Sequence, residues 1–223
     1  MYEFFRRSSF AQIHKELGIF SQAVADWRNY ASDVLIDYIV VNTEKLGGGG
    51  GKTVEVDESK IGKRKYNRGH FVEGQWVFGG VERETGRCFL VAVHDRTAET
   101  LLGLIESWIE PGTTVISDCW KSYERLSERG YNHLTVNHSL EFVDSETGAH
   151  TNTIEVTWRH FKASLPEYNR RGRFEGYIAW FMFRKICFAL KQDPFIKFLD
   201  LVRNINWADW QIVSGGGVEE SNS

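Results

Sequence analysis

TVEVDES, residues 53–59, is a β-branched run from Thr53 to Val56 that ends on an acidic pair. Such a run predicts a strand, with Asp57 at its carboxyl end. A second run has the same shape: in TTVISDCWKSY, residues 113–123, Thr113 to Ile116 lead to Asp118. Open α/β sheets bind ligands at the carboxyl ends of their strands, so both acids are expected at such a rim. HTNTIEVTWRHFK, residues 150–162, predicts a helix beside them with Glu155 near its start. Three carboxylates from three separate elements are the layout that two-metal phosphoryl transfer needs, with two divalent ions about 4 Å apart clamping the attacking and leaving oxygens.

Other acids fit less well. Glu58 adjoins Asp57 but points to the opposite face of the strand, because strand side chains alternate with period two. Glu141, Asp144 and Glu146 lie in EFVDSETGAH, whose glycine and threonines read as an exposed loop. Glu155, Trp158, Arg159 and Lys162 stand at i, i+3, i+4 and i+7, so they are expected on one helix face, setting two cations beside the acid. Thr151 or Asn152 is expected to cap that helix. His150 reads as a loop histidine.

Charge is uneven. The chain of 223 residues carries a net charge of −3 with a pI near 6.2, which argues against a protein that coats nucleic acid non-specifically. Yet Lys60, Lys63, Arg64, Lys65 and Arg68 crowd together directly after the first strand, and Arg170, Arg171 and Arg173 form a second cluster. Basic patches beside an acidic centre suit a polyanionic substrate, so these residues, with Arg159 and Lys162, are candidate DNA contacts. The three cysteines, Cys88, Cys119 and Cys187, form no C-x-x-C pair and give neither a disulfide framework nor a zinc module. No secretory leader is visible, and IAWFMF is cut short by Arg184 and Lys185, so an intracellular protein is expected, nuclear if the host is eukaryotic.

The chain divides at the run Gly47 to Gly51, which reads as a flexible joint. It lacks the Lys and Ser/Thr spacing of a phosphate-binding loop. Before it, residues 1–46 form a helical arm: a helix over 9–17, a turn at Gly18, and a second helix capped by Ser21. Such a pair can set its second helix in a DNA major groove, with Gln22, Asp26 and Arg28 on the exposed face. After the linker at 47–52, residues 53–200 are expected to form the catalytic domain. GQWVFGGVER and GRCFLVAVHD predict an antiparallel pair turned by ETG; a helix over 98–109, a strand at TTVIS, a helix over 121–129 and a strand at HLTV follow. FEGYIAWFMFRKICFAL predicts a core helix, and residues 201–223 a partly disordered tail.

Taken as phrases, VEVDESKIGKRKYNRG (54–69), WVFGGVERETG (76–86), ISDCWKSY (116–123) and VNHSLEFVDSETGAHTNTIEVTWRHFK (136–162) resemble, in order, consecutive blocks of DDE transposases of the Merlin type and their bacterial insertion-sequence relatives. Thirty-six residues lie between Asp118 and Glu155, a spacing that belongs to the resemblance, which covers residues 50 to about 190. It implies a ribonuclease-H-like α/β fold: a mixed five-stranded sheet flanked by helices, preceded by a short helix-turn-helix-like arm, with the first and fourth strands adjacent. It also implies that Asp57, Asp118 and Glu155 bind two Mg2+ ions, with Mn2+ able to substitute, and that the partner is double-stranded DNA, engaged by a homodimer or higher oligomer. Two other readings stay open: a domesticated DNA-binding protein without mobility, and a metal-dependent nuclease acting on RNA or hybrids.

Overall fold

A computed structural model of the chain describes residues 1–6, 8–48, 51–62, 74–118, 123, 125–136, 150–166 and 174–208. Three helices come first: α1 (Tyr2–Phe5), α2 (Phe10–Leu17) and α3 (Ser21–Asn42). Ser9 caps α2 by accepting from the Gln12 amide, and Gly18, at φ 63°, ends it in the left-handed conformation that glycine adopts without cost. Ser21 is not the cap of α3. It lies inside the first turn, and Phe20 occupies the cap position without a side-chain bond.

Five strands follow: β1 (Thr53–Ile61), β2 (Gln75–Glu82), β3 (Cys88–Val93), β4 (Thr114–Asp118) and β5 (Asn132–Val136), with α4 (Ala98–Trp108) between β3 and β4. The sheet order is β3-β2-β1-β4-β5, antiparallel from β3 to β1 and parallel from β1 to β5. First and fourth strands are neighbours, as the ribonuclease-H-like order requires. Where a helix over 121–129 is expected, the described residues show 3-10 conformation at Tyr123 and a 3-10 turn, Ser127–Arg129, ended by Gly130; residues 121, 122 and 124 lie outside the described ones. Then come α5 (Asn152–Ser164), α6 (Phe174–Ala189) and α7 (Pro194–Asn204).

Both faces of the sheet are covered. Phe89 stacks on Trp108 of α4 on one face. On the other, α5 and α6 pack through Trp158, Phe161 and Phe181, with Phe161 fully buried. Burying such a side chain contributes about 1.5–3 kcal/mol. The helical arm belongs to the same apolar core, which runs from Phe4 through Leu35 to Phe198. Trp180 of α6 donates its indole N–H to the Ser32 hydroxyl of α3 at 3.0 Å.

The glycine run starts against the sheet. Leu46 bridges Ile109 in parallel, the Gly47 amide donates to Glu82 Oε2 at 2.7 Å, and the Gly48 amide donates to Thr113 Oγ1 at 3.2 Å. A Cβ on Gly47, at φ 81°, would stand 2.1 Å from Thr113 Oγ1, so close packing as well as backbone freedom demands glycine there.

Candidate active site

Strand β1 sets the site by its alternation. Glu55 and Asp57 share the face toward α5, while Val54, Val56 and Glu58 share the other. Asp57 stands mid-strand, paired with Gly79 of β2, and not at the carboxyl end expected of it, because β1 continues to Ile61 as one arm of a hairpin with β2. The parallel pairing with β4 stops earlier, at Glu55 with Ile116. Extended by two residues, that register sets Asp57 level with Asp118, the last residue of β4. The rim exists, but β4 and β5 end on it, at the paired residues Asp118 and Val136, while β1 runs past it.

Helix α5 is fastened to β1 at two points. Glu55, fully buried, accepts from the Ile154 amide at 2.8 Å through one oxygen and from Arg83 Nε at 2.6 Å through the other. A second nitrogen of Arg83 donates to the His150 carbonyl, and the His150 ring nitrogen Nδ1 lies 3.5 Å from Glu55. The helix start is therefore capped from the neighbouring strand. The Thr151 side chain provides no cap and instead lies 3.5 Å from Glu155 Oε1. One turn on, Trp158 Nε1 donates to Asp57 Oδ2 at 2.9 Å. Four helical residues advance about 6 Å and two strand residues about 6.6 Å, so both bonds form with α5 running alongside β1.

That step corrects one expectation about α5. Trp158 does not share a face with Glu155, Arg159 and Lys162. It lies in the buried stripe with Ile154, Thr157 and Phe161, while Glu155, Arg159 and Lys162 are exposed. Room for the indole comes from Gly79, where a Cβ would meet Trp158 Cη2 at 2.9 Å and Leu90 Cδ2 at 2.6 Å. Gly80 similarly yields to the Phe89 ring, 2.4 Å from a Cβ built there.

The acids feel one another. Burial pushes the Asp57 carboxyl up to about 6; the charges of Asp118 and Glu155 push the same way, and hydrogen bonds from the Glu58 backbone and Trp158 oppose it. Glu58, on the opposite face, is pushed up to about 7, by burial first and then by Asp57 and Asp118, against its bond from the Tyr123 hydroxyl and the nearby positive charge of Arg96. The oxygen-only donor set of Asp57, Asp118 and Glu155 suits a hard cation such as Mg2+. Among the described residues, no three His, Cys, Asp or Glu side chains are grouped closely enough to hold a metal ion as they stand.

Of the expected DNA contacts, Lys60 extends from β1 with its ammonium 5.6 Å from the centre of the Trp76 ring. Lys63, Arg64, Lys65, Arg68 and the Arg170 to Arg173 cluster lie outside the described residues. Gln22 is exposed and donates to Asp26 at 2.8 Å. Arg28 is not on that exposed face: its guanidinium packs over Tyr177 and Trp180 of α6, because α3 uses this side to join the core. No helix among the described residues is long and apolar enough to cross a membrane.

Residues 45–185 match the model of the ISXO2-like transposase domain. The chain belongs to the ISXO2-like transposase family. A relative, an uncharacterized transposase-like protein of Haemophilus influenzae, is 29% identical over 94 residues, spanning 41% of this chain and 75% of the relative. Solved structures that resemble this transposase domain include the HTLV-2 integrase catalytic core in complex with magnesium, at 13% identity and TM-score 0.42 over 63% of this chain and 86% of that one. The BIV integrase catalytic core aligns at 14% identity and TM-score 0.40 over 68% and 95%.

Proposed function

We propose that this member of the ISXO2-like family is a DDE transposase related to the Merlin type, with Asp57, Asp118 and Glu155 as its metal ligands and double-stranded DNA as its substrate. The observation that carries the reading is the convergence of β1, β4 and α5, which brings Asp118 and Glu155 near enough for their charges to raise Asp57. Two Mg2+ ions, or Mn2+ in their place, would supply Lewis-acid stabilisation of the charge that develops on the phosphoryl oxygens during in-line displacement.

The chain's own residues do the positioning. Trp158 fixes one Asp57 oxygen, leaving the other for a cation. Glu55 holds the start of α5, and so the backbone that carries Glu155. Arg159 and Lys162, exposed on the same helix, face an approaching phosphate backbone. In the first step a water oxygen bonds to phosphorus at an element end and the bond to the 3′ oxygen breaks, leaving a 3′ hydroxyl. In the second, that 3′ oxygen bonds to a target phosphorus, the bond from that phosphorus to the adjoining 3′ oxygen of the target strand breaks, and a target 3′ hydroxyl leaves as the attacking hydroxyl gives up its proton. Residues 53–200 form the catalytic portion in this reading, residues 47–52 link it to the arm of residues 1–46, and a homodimer pairs two element ends.

Nicking of supercoiled plasmid by the purified chain with Mn2+, compared with Asp118→Asn, tests it. Nicking by the wild type and none by the folded variant is expected. Equal nicking by both overturns the assignment, and a folded wild type that binds DNA without metal and never cuts identifies a domesticated binding protein.

A further inference from the structure

Beyond the acids, the same end of β1 carries a second cluster. Lys60 and Trp76 are directly paired across β1 and β2, so their side chains share one face of the sheet, the face that also carries Glu58. Over the same indole lies Arg96, from the segment between β3 and α4, its guanidinium carbon 3.7 Å from the ring centre. At that distance the guanidinium lies directly on the ring. The segment bearing Arg96 is held on its far side: Asp95 Oδ1 accepts from the Thr97 amide at 3.0 Å, the Thr97 hydroxyl at 2.9 Å and the Thr100 hydroxyl at 2.7 Å. These bonds commit the Asp95 carboxylate to the start of α4. Arg96 is also near enough to Glu58 for its charge to act there.

Lys60 follows Asp57 by three residues, about 10 Å along the strand, and lies with Glu58 on the opposite face of β1. In sequence the positive charge continues through Lys63, Arg64, Lys65 and Arg68. An arginine needed only to offset Glu58 requires neither an aromatic bed nor a lysine on the same ring. Phosphate recognition is served by both, since the stacked fork is pre-organised for bidentate contact and the lysine adds a point charge.

We propose that Arg96, Trp76 and Lys60 form a platform that grips a DNA phosphate backbone on the face of β1 and β2 opposite Asp57, beside the acidic site. This rests on the transposase reading above. Arg96 is the principal contact, Trp76 orients it, and Lys60 adds charge at the rim.

The test is a fluorescence-anisotropy titration of the full chain with a labelled DNA duplex across a salt series, with Ca2+ in place of Mg2+. Arg96→Ala is expected to weaken binding about 5- to 20-fold and to reduce the slope of log affinity against log salt by about one. Lys60→Ala is expected to give a smaller loss. Trp76→Ala, which removes no charge, is expected to weaken binding by freeing Arg96. Arg96→Gln removes the charge while keeping a polar side chain and carries the test should Trp76→Ala fail to fold. Arg125→Ala, exposed elsewhere beside Glu128, is expected to bind like the wild type. Wild-type affinity and salt slope in Arg96→Ala and Arg96→Gln, with the parent binding DNA, overturn the platform and leave the transposase reading standing. A folded parent that binds no duplex overturns both.

Discussion

Trp158 Nε1 and Asp57 Oδ2 stand 2.9 Å apart, so the helix that carries Glu155 is hydrogen-bonded directly to the strand carboxylate beside it. A tryptophan in the buried stripe of α5 thereby links two of the three acids through one N–H.

Trp158→Phe keeps most of the apolar volume and deletes that donor. A bond to a charged group is worth about 1.5–3 kcal/mol, so an unfolding free energy lower by about that amount at neutral pH is expected from urea denaturation. Because the lost bond favours the ionised form, the Asp57 carboxyl should rise further and divalent-cation affinity should fall, read by calorimetric titration with Mg2+. Unchanged affinity alongside the stability loss would confine Trp158 to packing.

Glu55 gives a sharper stability test. It is fully buried, with one oxygen on Arg83 and the other on the Ile154 amide. Removing one partner of a buried pair costs about 3–5 kcal/mol, so Glu55→Ala should lose about that much, and Glu55→Gln, which keeps an acceptor for the amide, distinctly less. Combined with Arg83→Leu, the Ala variant should recover part of the loss. Strict additivity in that double-mutant cycle would show that the pair is not coupled.

How far the sequence disclosed this site follows from the range of each interaction. The strands and the partners of Asp57 in sequence were legible because burial imposes a local alternation: TVEVDES and TTVISD fall on β1 and β4, which pair in parallel. The role of Glu55 was not, since it depends on Ile154, ninety-nine residues away. One signal was present: Glu55 and Asp57 differ by two positions and so share a face. Trp158 was misplaced because helical spacing sets the angle of a side chain and cannot say which side the sheet covers. Arg28 was misplaced for the same reason, as α3 turns it toward Trp180. Helix α7 went unread although Asp193 followed by Pro194 is a strong start signal, and Asp193 does accept from the Phe195 and Ile196 amides.

Gly79→Ala tests the close approach of α5. The added methyl would lie 2.9 Å from a rigid indole and 2.6 Å from a leucine methyl that can rotate away. Overpacking of this kind costs about 1–3 kcal/mol, and a melting temperature lower by several degrees is expected. Introducing Trp158→Phe in the same chain should relieve part of that loss. No relief would place the strain elsewhere.

The two adjoining carboxyls of β1 make the metal-free protein sensitive to pH. Asp57 rises from 3.8 to about 6 and Glu58 from 4.5 to about 7 on folding, burial being the main cause in each. The folded state therefore binds more protons than the unfolded chain between those values. Stability must then fall as pH rises from about 4 toward about 7 and level off above, the reverse of a salt-bridged carboxylate. For Asp57 alone the change is at most about 3 kcal/mol, at 1.36 kcal/mol per pKa unit. Melting curves in chelator at about pH 5 and about pH 8 read it directly. In Asp57→Asn the decline should be visibly shallower, and the variant should be more stable than the wild type at the higher pH. Divalent cation binds the ionised carboxylates, so its stabilising effect on the wild type should grow across the same window and be largely lost in the variant. Parallel pH profiles for the two proteins would mean that Asp57 is not the strained carboxylate of the site.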